Sequence, residues 1–216
     1  HEVINLLDSD EKRIVIAAPR NLGKTSFAKA LCISGILYRD YEFIAYVSQS
    51  LESHALMQTE NIKRELLSNG EIRKIFGNAR ISDEAFSKHA WIAFGHTLVL
   101  PRGANQQVRG LLFDNYRPQL IIVDDLENRS ELENPENRRK LKDWFYADLM
   151  QCMDRYSNKW KVIYIDTLKH SESLMQELLT SSEWASLRLE ICDDDFVSKV
   201  PYLKTTEELK REAAEA

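Results

Sequence analysis

Residues 13 to 26 read RIVIAAPRNLGKTS: a short apolar run, a polar turn ending in Gly-Lys-Thr, and the start of a helical pattern. The run is rich in β-branched residues and bounded by turn residues, as in a strand buried on both faces. Ser26 to Tyr38 follows with apolar residues at helical spacing. The stretch Ala18 to Thr25, APRNLGKT, matches the phosphate-binding pattern G-x-x-x-x-G-K-[ST], with Ala18 at the first glycine. A loop of this kind curls backbone N–H groups around phosphate oxygens, and the helix behind it adds a positive field. Gly23 lets the chain approach closely, Lys24 places a charge between β- and γ-phosphates, and the Thr25 hydroxyl suits Mg²⁺. Pro19, Arg20, Asn21, Leu22, Gly23, Lys24, Thr25 and Ser26 are therefore the candidate nucleotide-binding residues, with ATP and Mg²⁺ as ligands.

The rest of the chain repeats the alternation of strand and helix. Glu42 to Val47 reads as a strand, and Ser50 to Ser68 as a helix with Ala55, Thr59, Ile62 and Leu66 on one face. Trp91 to Phe94 and Thr97 to Leu100 form a hairpin around Gly95 and His96. Leu120 to Val123 is a continuous apolar strand. A helix starts after Asn134, a good N-cap, with Pro135 at its first position and Leu141, Phe145, Leu149 and Met153 inward. Trp160 to Ile165 is a strand, Ser171 to Leu179 a helix and Leu187 to Ile191 a strand. This order predicts an α/β fold, a three-layer sandwich of the P-loop NTPase, RecA-like (ASCE) class around a mostly parallel sheet. Residues 1–200 form the expected ATPase domain. Residues 201–216, polar and Glu/Lys/Ala-rich, form a helical tail or linker toward a part not present.

Asp124 and Asp125 end the run LIIVDDLE. Carboxylates at the carboxyl end of a buried strand lie where open α/β sheets bind ligands. Asp124 is the expected Mg²⁺ partner of Thr25. A second carboxylate must orient the attacking water, and Asp125 or Glu127 can serve.

Several segments together resemble the ATPase domain of phage terminase large subunits. They are APRNLGKT with Arg20 before Gly-Lys-Thr, GANQQVRGLLFDNYRPQLIIVDDLE with Arg109-Gly110 ahead of the acidic strand, YIDTLKHSESL at residues 164 to 174, and the amino-terminal HEVINLLDS. The chain departs from the family in carrying Asp124-Asp125 where Asp-Glu is common, and Asp166 where the coupling motif has a small residue before Thr167. The resemblance implies a motor that moves double-stranded viral DNA into a procapsid. It implies docking on a portal protein with a small terminase subunit bringing the DNA, in the host cell cytoplasm. It implies a homo-oligomeric ring of five subunits when assembled and a monomer in isolation. Arg20 becomes a γ-phosphate sensor, Arg109 an arginine finger acting in trans, and Arg117 its reserve. The metal-binding acidic cluster of the family's nuclease half has no counterpart, so nuclease activity is not expected.

Composition sets outer limits. The net charge of −5 excludes a DNA coat over the whole surface and leaves room for a local basic groove. No apolar run reaches the roughly 20 residues that span a bilayer, so no membrane partner is expected. Cys32, Cys152 and Cys192, and likewise His54, His89, His96 and His170, show no metal-ligand spacing and suit reduced thiols and ordinary polar side chains. Chain start at His1 suits a domain cut from something longer. Gln49 ends a strand and could touch nucleotide or DNA. Arg138, Arg139, Lys140 and Lys142 could meet phosphates or form the wet face of an amphipathic helix. Rival readings are a helicase-like or other P-loop translocating motor, a small-molecule kinase, and a nucleotide-binding module without turnover. A two-lobed helicase needs a second lobe, for which 216 residues leave no room.

Overall fold

The structure, a computed structural model, describes residues 1–215. In chain order its elements are α1 (Glu2–Leu7), β1 (Arg13–Ala17), α2 (Lys24–Leu37), β2 (Phe43–Ser48), α3 (Leu56–Ser68), α4 (Gly70–Phe76), β3 (Trp91–Ala93), β4 (Thr97–Gly103), β5 (Leu120–Asp124), α5 (Arg129–Leu132), α6 (Pro135–Trp144), β6 (Lys161–Asp166), α7 (Leu174–Thr180), β7 (Ala185–Arg188) and α8 (Thr206–Glu215). The seven strands form one sheet in the order β3-β4-β2-β5-β6-β1-β7. Every pairing is parallel except the β3–β4 hairpin. The expected mostly parallel α/β sheet is present, and β6 separates β1 from β5.

Strand periodicity divides the core. Along β1, Ile14 and Ile16 enter a cluster with Ala28, Cys32 and Ile36 of α2 and Ile62 and Leu66 of α3. Val15 and Ala17 enter the opposite cluster, with Trp144, Phe145 and Leu149 near α6 and Leu174 and Leu178 of α7. Successive side chains point to opposite faces, so one apolar strand serves two helical layers. Of the five inner strands, β1, β2, β5 and β6 are buried almost throughout.

Several boundaries differ from expectation. The segment 51–55 forms a π-helical turn before α3, closed by Ala55 N–H donating to Ser50 O at 3.0 Å. A second π turn, 145–149, follows α6 and is closed by Met150 N–H to Phe145 O at 2.9 Å. The extra residue per turn keeps Phe145 and Leu149 on the core side, while Met153 reaches the core from the loop beyond. Strand β7 lies two residues earlier than expected. Its ladder is limited by β1, because Leu189 N–H donates to Ala17 O and beyond Ala17 the chain turns into the loop. Helices α1, α4 and α5 span only six, seven and four residues, too short for a helical period to reveal them. Helix α8 lies within the stretch read as a helical tail and buries Leu209; the last residue of that stretch, Ala216, lies outside the described residues. Among the described residues no helix is long and apolar enough to cross a membrane.

Candidate active site

All the parallel strands end on one edge of the sheet, and the loop between β1 and α2 lies on that edge. Two of its residues have left-handed backbone, Asn21 at φ 69° and Gly23 at φ 76°. Asparagine tolerates that region and glycine pays no Cβ penalty there. Ala18 does not need it, so alanine can replace the usual first glycine. Among the described residues, the N–H groups of Asn21, Leu22 and Gly23 have no acceptor. Orphan N–H groups ahead of a 14-residue helix form a cradle for an anion. Nothing stands within 4 Å of the position a Cβ on Gly23 would take, so the cradle is open.

Lys24 folds back over this loop and donates to Ala18 O at 3.1 Å and Pro19 O at 2.8 Å. Burial lowers its pKa, opposed by the nearby Asp166, Asp125 and Asp124. Thr25 Oγ1 donates to Asp124 Oδ1 at 3.3 Å, joining residues 99 apart in sequence. The other Asp124 oxygen accepts from Tyr46 Oη at 2.7 Å. Burial raises the Asp124 carboxyl, and the hydrogen bonds from Tyr46 and Thr25 pull it back.

The next three positions diverge sharply. Asp125 has left-handed backbone, φ 52°, fixed by its N–H donating to Ile165 O and its C=O accepting from Gln49 N–H, both 3.1 Å. Its carboxylate is 43% exposed and meets Lys169 Nζ at 2.6 Å. Burial raises the Asp125 carboxyl, but the Lys169 contacts outweigh it and hold the group below the ordinary carboxylate range. Leu126 turns into the core. Glu127 is buried, and its carboxylate accepts from the N–H groups of Leu174 at 2.7 Å and Met175 at 3.1 Å. It therefore caps α7 with both oxygens. Asp166, fully buried at the end of β6, accepts from Lys169 at 2.7 Å, Thr167 N–H at 2.6 Å and Glu127 N–H at 3.2 Å. Burial pushes its carboxyl up to about 7 against the pull of Lys169.

Lys24, Thr25, Asp124, Asp125, Glu127 and Lys169 line one cleft of about 420 Å³, with Arg20, Asn21, Gln49, Asn128, Arg129 and Thr167 completing its walls. That volume is within the range of small-molecule sites. A second groove of about 410 Å³ adjoins it on the β7 side, walled by Pro19, Leu168, Leu189 and Ile191. Leu22 is half-buried and Ser26 exposed at the first turn of α2. Among the described residues no cluster of three or more His, Cys, Asp or Glu side chains could hold a metal by itself. Thr25 and Asp124 supply two oxygens on one side, which fits a Mg²⁺ that keeps waters and takes phosphate oxygens as its other ligands.

Two residues singled out from sequence lie elsewhere. Arg109 is exposed and packs on the second π turn, paired with Asp148 and donating to Ala147 O at 2.8 Å. Arg117 is exposed just before β5, at the sheet edge opposite the cleft. The cations of α6 are occupied: Arg138 pairs with Glu172, Arg139 with Glu136 and Asp143, Lys140 with Glu136, and Lys142 with Glu177. Each of these cations thus has a carboxylate partner on the helix or beside it. Sequence reasoning missed Tyr46 and Lys169. Tyr46 is the one hydroxyl-bearing residue within the expected strand EFIAYV, and Lys169 the one basic residue between Asp166 and the following histidine. Those are the only signals either gives.

No family model matches the chain, and no curated relative matches it in sequence. Solved structures do match in fold. The ATPase domain of the large terminase of Thermus phage P74-26 superposes with a TM-score of 0.60 at 10% identity, over 100% of this chain and 84% of that one. A DEAD box protein from the hyperthermophile Methanococcus jannaschii gives 0.52 at 14% identity, over 99% of this chain and 62% of that one. The Phi-28 gp11 DNA packaging motor gives 0.48 at 12% identity, and this chain spans 65% of its length. The chain thus has the P-loop fold seen in the ATPase domain of a phage large terminase and in a DEAD box protein.

Proposed function

We propose that this chain is an ATPase, the motor domain of a terminase-like machine that uses ATP hydrolysis to move double-stranded DNA into a viral procapsid. The observation that carries the ATPase part is the Thr25–Asp124 contact, 3.3 Å across the sheet edge, beside an open cradle of unpaired N–H groups. Phosphates would lie on the N–H groups of Asn21, Leu22 and Gly23, with Lys24 leaving its loop carbonyls to meet them. Thr25 and Asp124 would hold Mg²⁺, which neutralises phosphate charge when bound. The apolar walls of the adjoining groove, Pro19, Leu168 and Leu189, suit a base.

Asp125 is the water-orienting carboxylate in this reading. It is half-exposed to the cleft and paired with Lys169 through Oδ1, whereas Glu127 spends both oxygens on α7. Arg20 faces the cleft and serves as the γ-phosphate sensor. Arg109 is paired with Asp148 outside the cleft, and in an assembled ring it would serve a neighbouring subunit's nucleotide and not its own. Assembly as a ring on a portal protein, with a small terminase subunit presenting DNA in the host cytoplasm, completes the proposal.

The test is phosphate release by the purified chain, alone, with double-stranded DNA, and with portal-bearing procapsids. Slow basal turnover stimulated by procapsid and duplex DNA is expected. The DEAD box likeness supplies the rival outcome: stimulation by single strands or RNA alone identifies a helicase-like motor. Nucleotide binding without any turnover identifies a regulatory module.

A further inference from the structure

Lys169 is 9% exposed, yet its ammonium sits in the wall of the cleft. It makes three short contacts: Asp125 Oδ1 at 2.6 Å, Asp166 Oδ1 at 2.7 Å and the Glu127 carbonyl oxygen at 2.6 Å. An ammonium has three protons to donate, so all three are spent on the protein. Lys24, in the same cleft, donates to two loop carbonyls and keeps a donor free. The two lysines are therefore in different chemical situations, one free to receive phosphate and one saturated.

The acceptors of Lys169 come from the end of β5, the turn after it and the end of β6. Asp125 belongs to none of the regular ladders and has left-handed backbone. Two backbone hydrogen bonds hold its main chain, and Lys169 donates to its carboxylate, which the Asp166 carboxyl also approaches. A carboxylate on a turn has free side-chain torsions. Binding one oxygen to a buried cation removes that freedom and leaves the other oxygen facing the cleft.

We propose that Lys169 is a positioning residue: a three-way tie between β5 and β6 that orients the Asp125 carboxylate toward the cleft, and not a ligand of phosphate. This rests on the reading of Asp125 as the group that orients water, and the experiment separates the two.

In the purified chain, Lys169→Met is expected to leave ADP affinity within about threefold of the parent, by displacement of a fluorescent analogue. It should lower single-turnover hydrolysis at least about tenfold. Affinity for ADP with aluminium fluoride, which mimics the γ-phosphoryl group under attack, should fall in parallel, and Lys169→Arg should recover part of both. Removing Lys169 also strands buried Asp166, so Lys169→Met/Asp166→Asn is compared with Asp166→Asn alone. The loss attributable to Lys169 should persist in that stabler background. Equal activity of those two variants overturns the proposal in favour of a merely structural ion pair. A loss of ADP affinity as large as that of Lys24→Ala overturns it in favour of a phosphate ligand. If Asp125→Asn retains parental turnover, the reading of Asp125 fails. If Asp125→Asn is inactive and Lys169→Met costs nothing, the tie alone is wrong.

Discussion

Lys24 and Glu127 show how side chains of one cleft come to have separate duties. Lys24 is bonded only to the carbonyls of its own loop, contacts that exchange for phosphate oxygens at little cost. Lys24→Ala should lower ATP affinity at least about tenfold, ~1.4 kcal/mol, and leave the melting temperature near the parent's. Titration with the fluorescent analogue checks the affinity and a thermal melt the stability, and parental affinity sinks the phosphate assignment. For the carboxylates, Asp125→Asn should retain ATP binding and reduce turnover by about 10²-fold or more, because the proton acceptor is lost while geometry survives. Glu127→Gln should retain turnover, since both of its carboxylate oxygens are spent on the N–H groups of α7. The opposite pair of results in a phosphate-release assay assigns the role to Glu127.

Elements in this fold are started and stopped by single polar groups. The side chain of Asn134 accepts from Glu136 N–H at 2.9 Å and Pro135 needs no acceptor, so α6 begins there. Asn134→Ala should cost about 1 kcal/mol in urea denaturation, the usual worth of an N-cap. Helix α7 begins under a carboxylate 47 residues away, from Leu174 N–H to Glu127, with Ser173 as local cap. Glu127→Ala leaves two buried N–H groups unmet and should cost about 2 kcal/mol or more. A denaturation midpoint unchanged by that substitution removes the structural role given to Glu127. This also explains why the helix read from Ser171 starts later. Local periodicity suggested its extent, and a long-range acceptor chose its first residue.

At the scale of the molecule, the cleft holds Arg20 and Arg129 as cations without ion-pair partners among the described residues, while Arg109 lies on another face. An arginine needed for transition-state charge but remote from its own nucleotide must act on a neighbour's. Arg109→Ala should then matter little in dilute monomer and reduce turnover by ~10³ in an assembled ring. Mixing Arg109→Ala subunits with Asp125→Asn subunits should restore part of the activity, because some interfaces then carry an intact finger and an intact carboxylate. If no activity returns in the mixture, the finger in trans fails, and Arg20 becomes the better source of that charge.

The loop, its flanking strand and helix, the acidic strand end and the α/β class were legible because each depends on local rules. A buried strand needs an apolar run, a phosphate cradle needs glycine and lysine at fixed positions, and a helix start needs a cap. Sequence order alone also placed Asp124 and Asp125 at a strand's carboxyl end. It could not separate Asp125 from Glu127, because two residues along a turn differ only in where the chain points them, and α7 and β6 decide that. Nor could it raise Lys169 above any other basic loop residue. Its meaning comes from three acceptors brought together by strands β5 and β6, which are neighbours in the sheet and 37 residues apart in the chain, from Asp124 to Lys161. Pairing of that range is set by the packing of the whole sheet, and only the tertiary structure contains it.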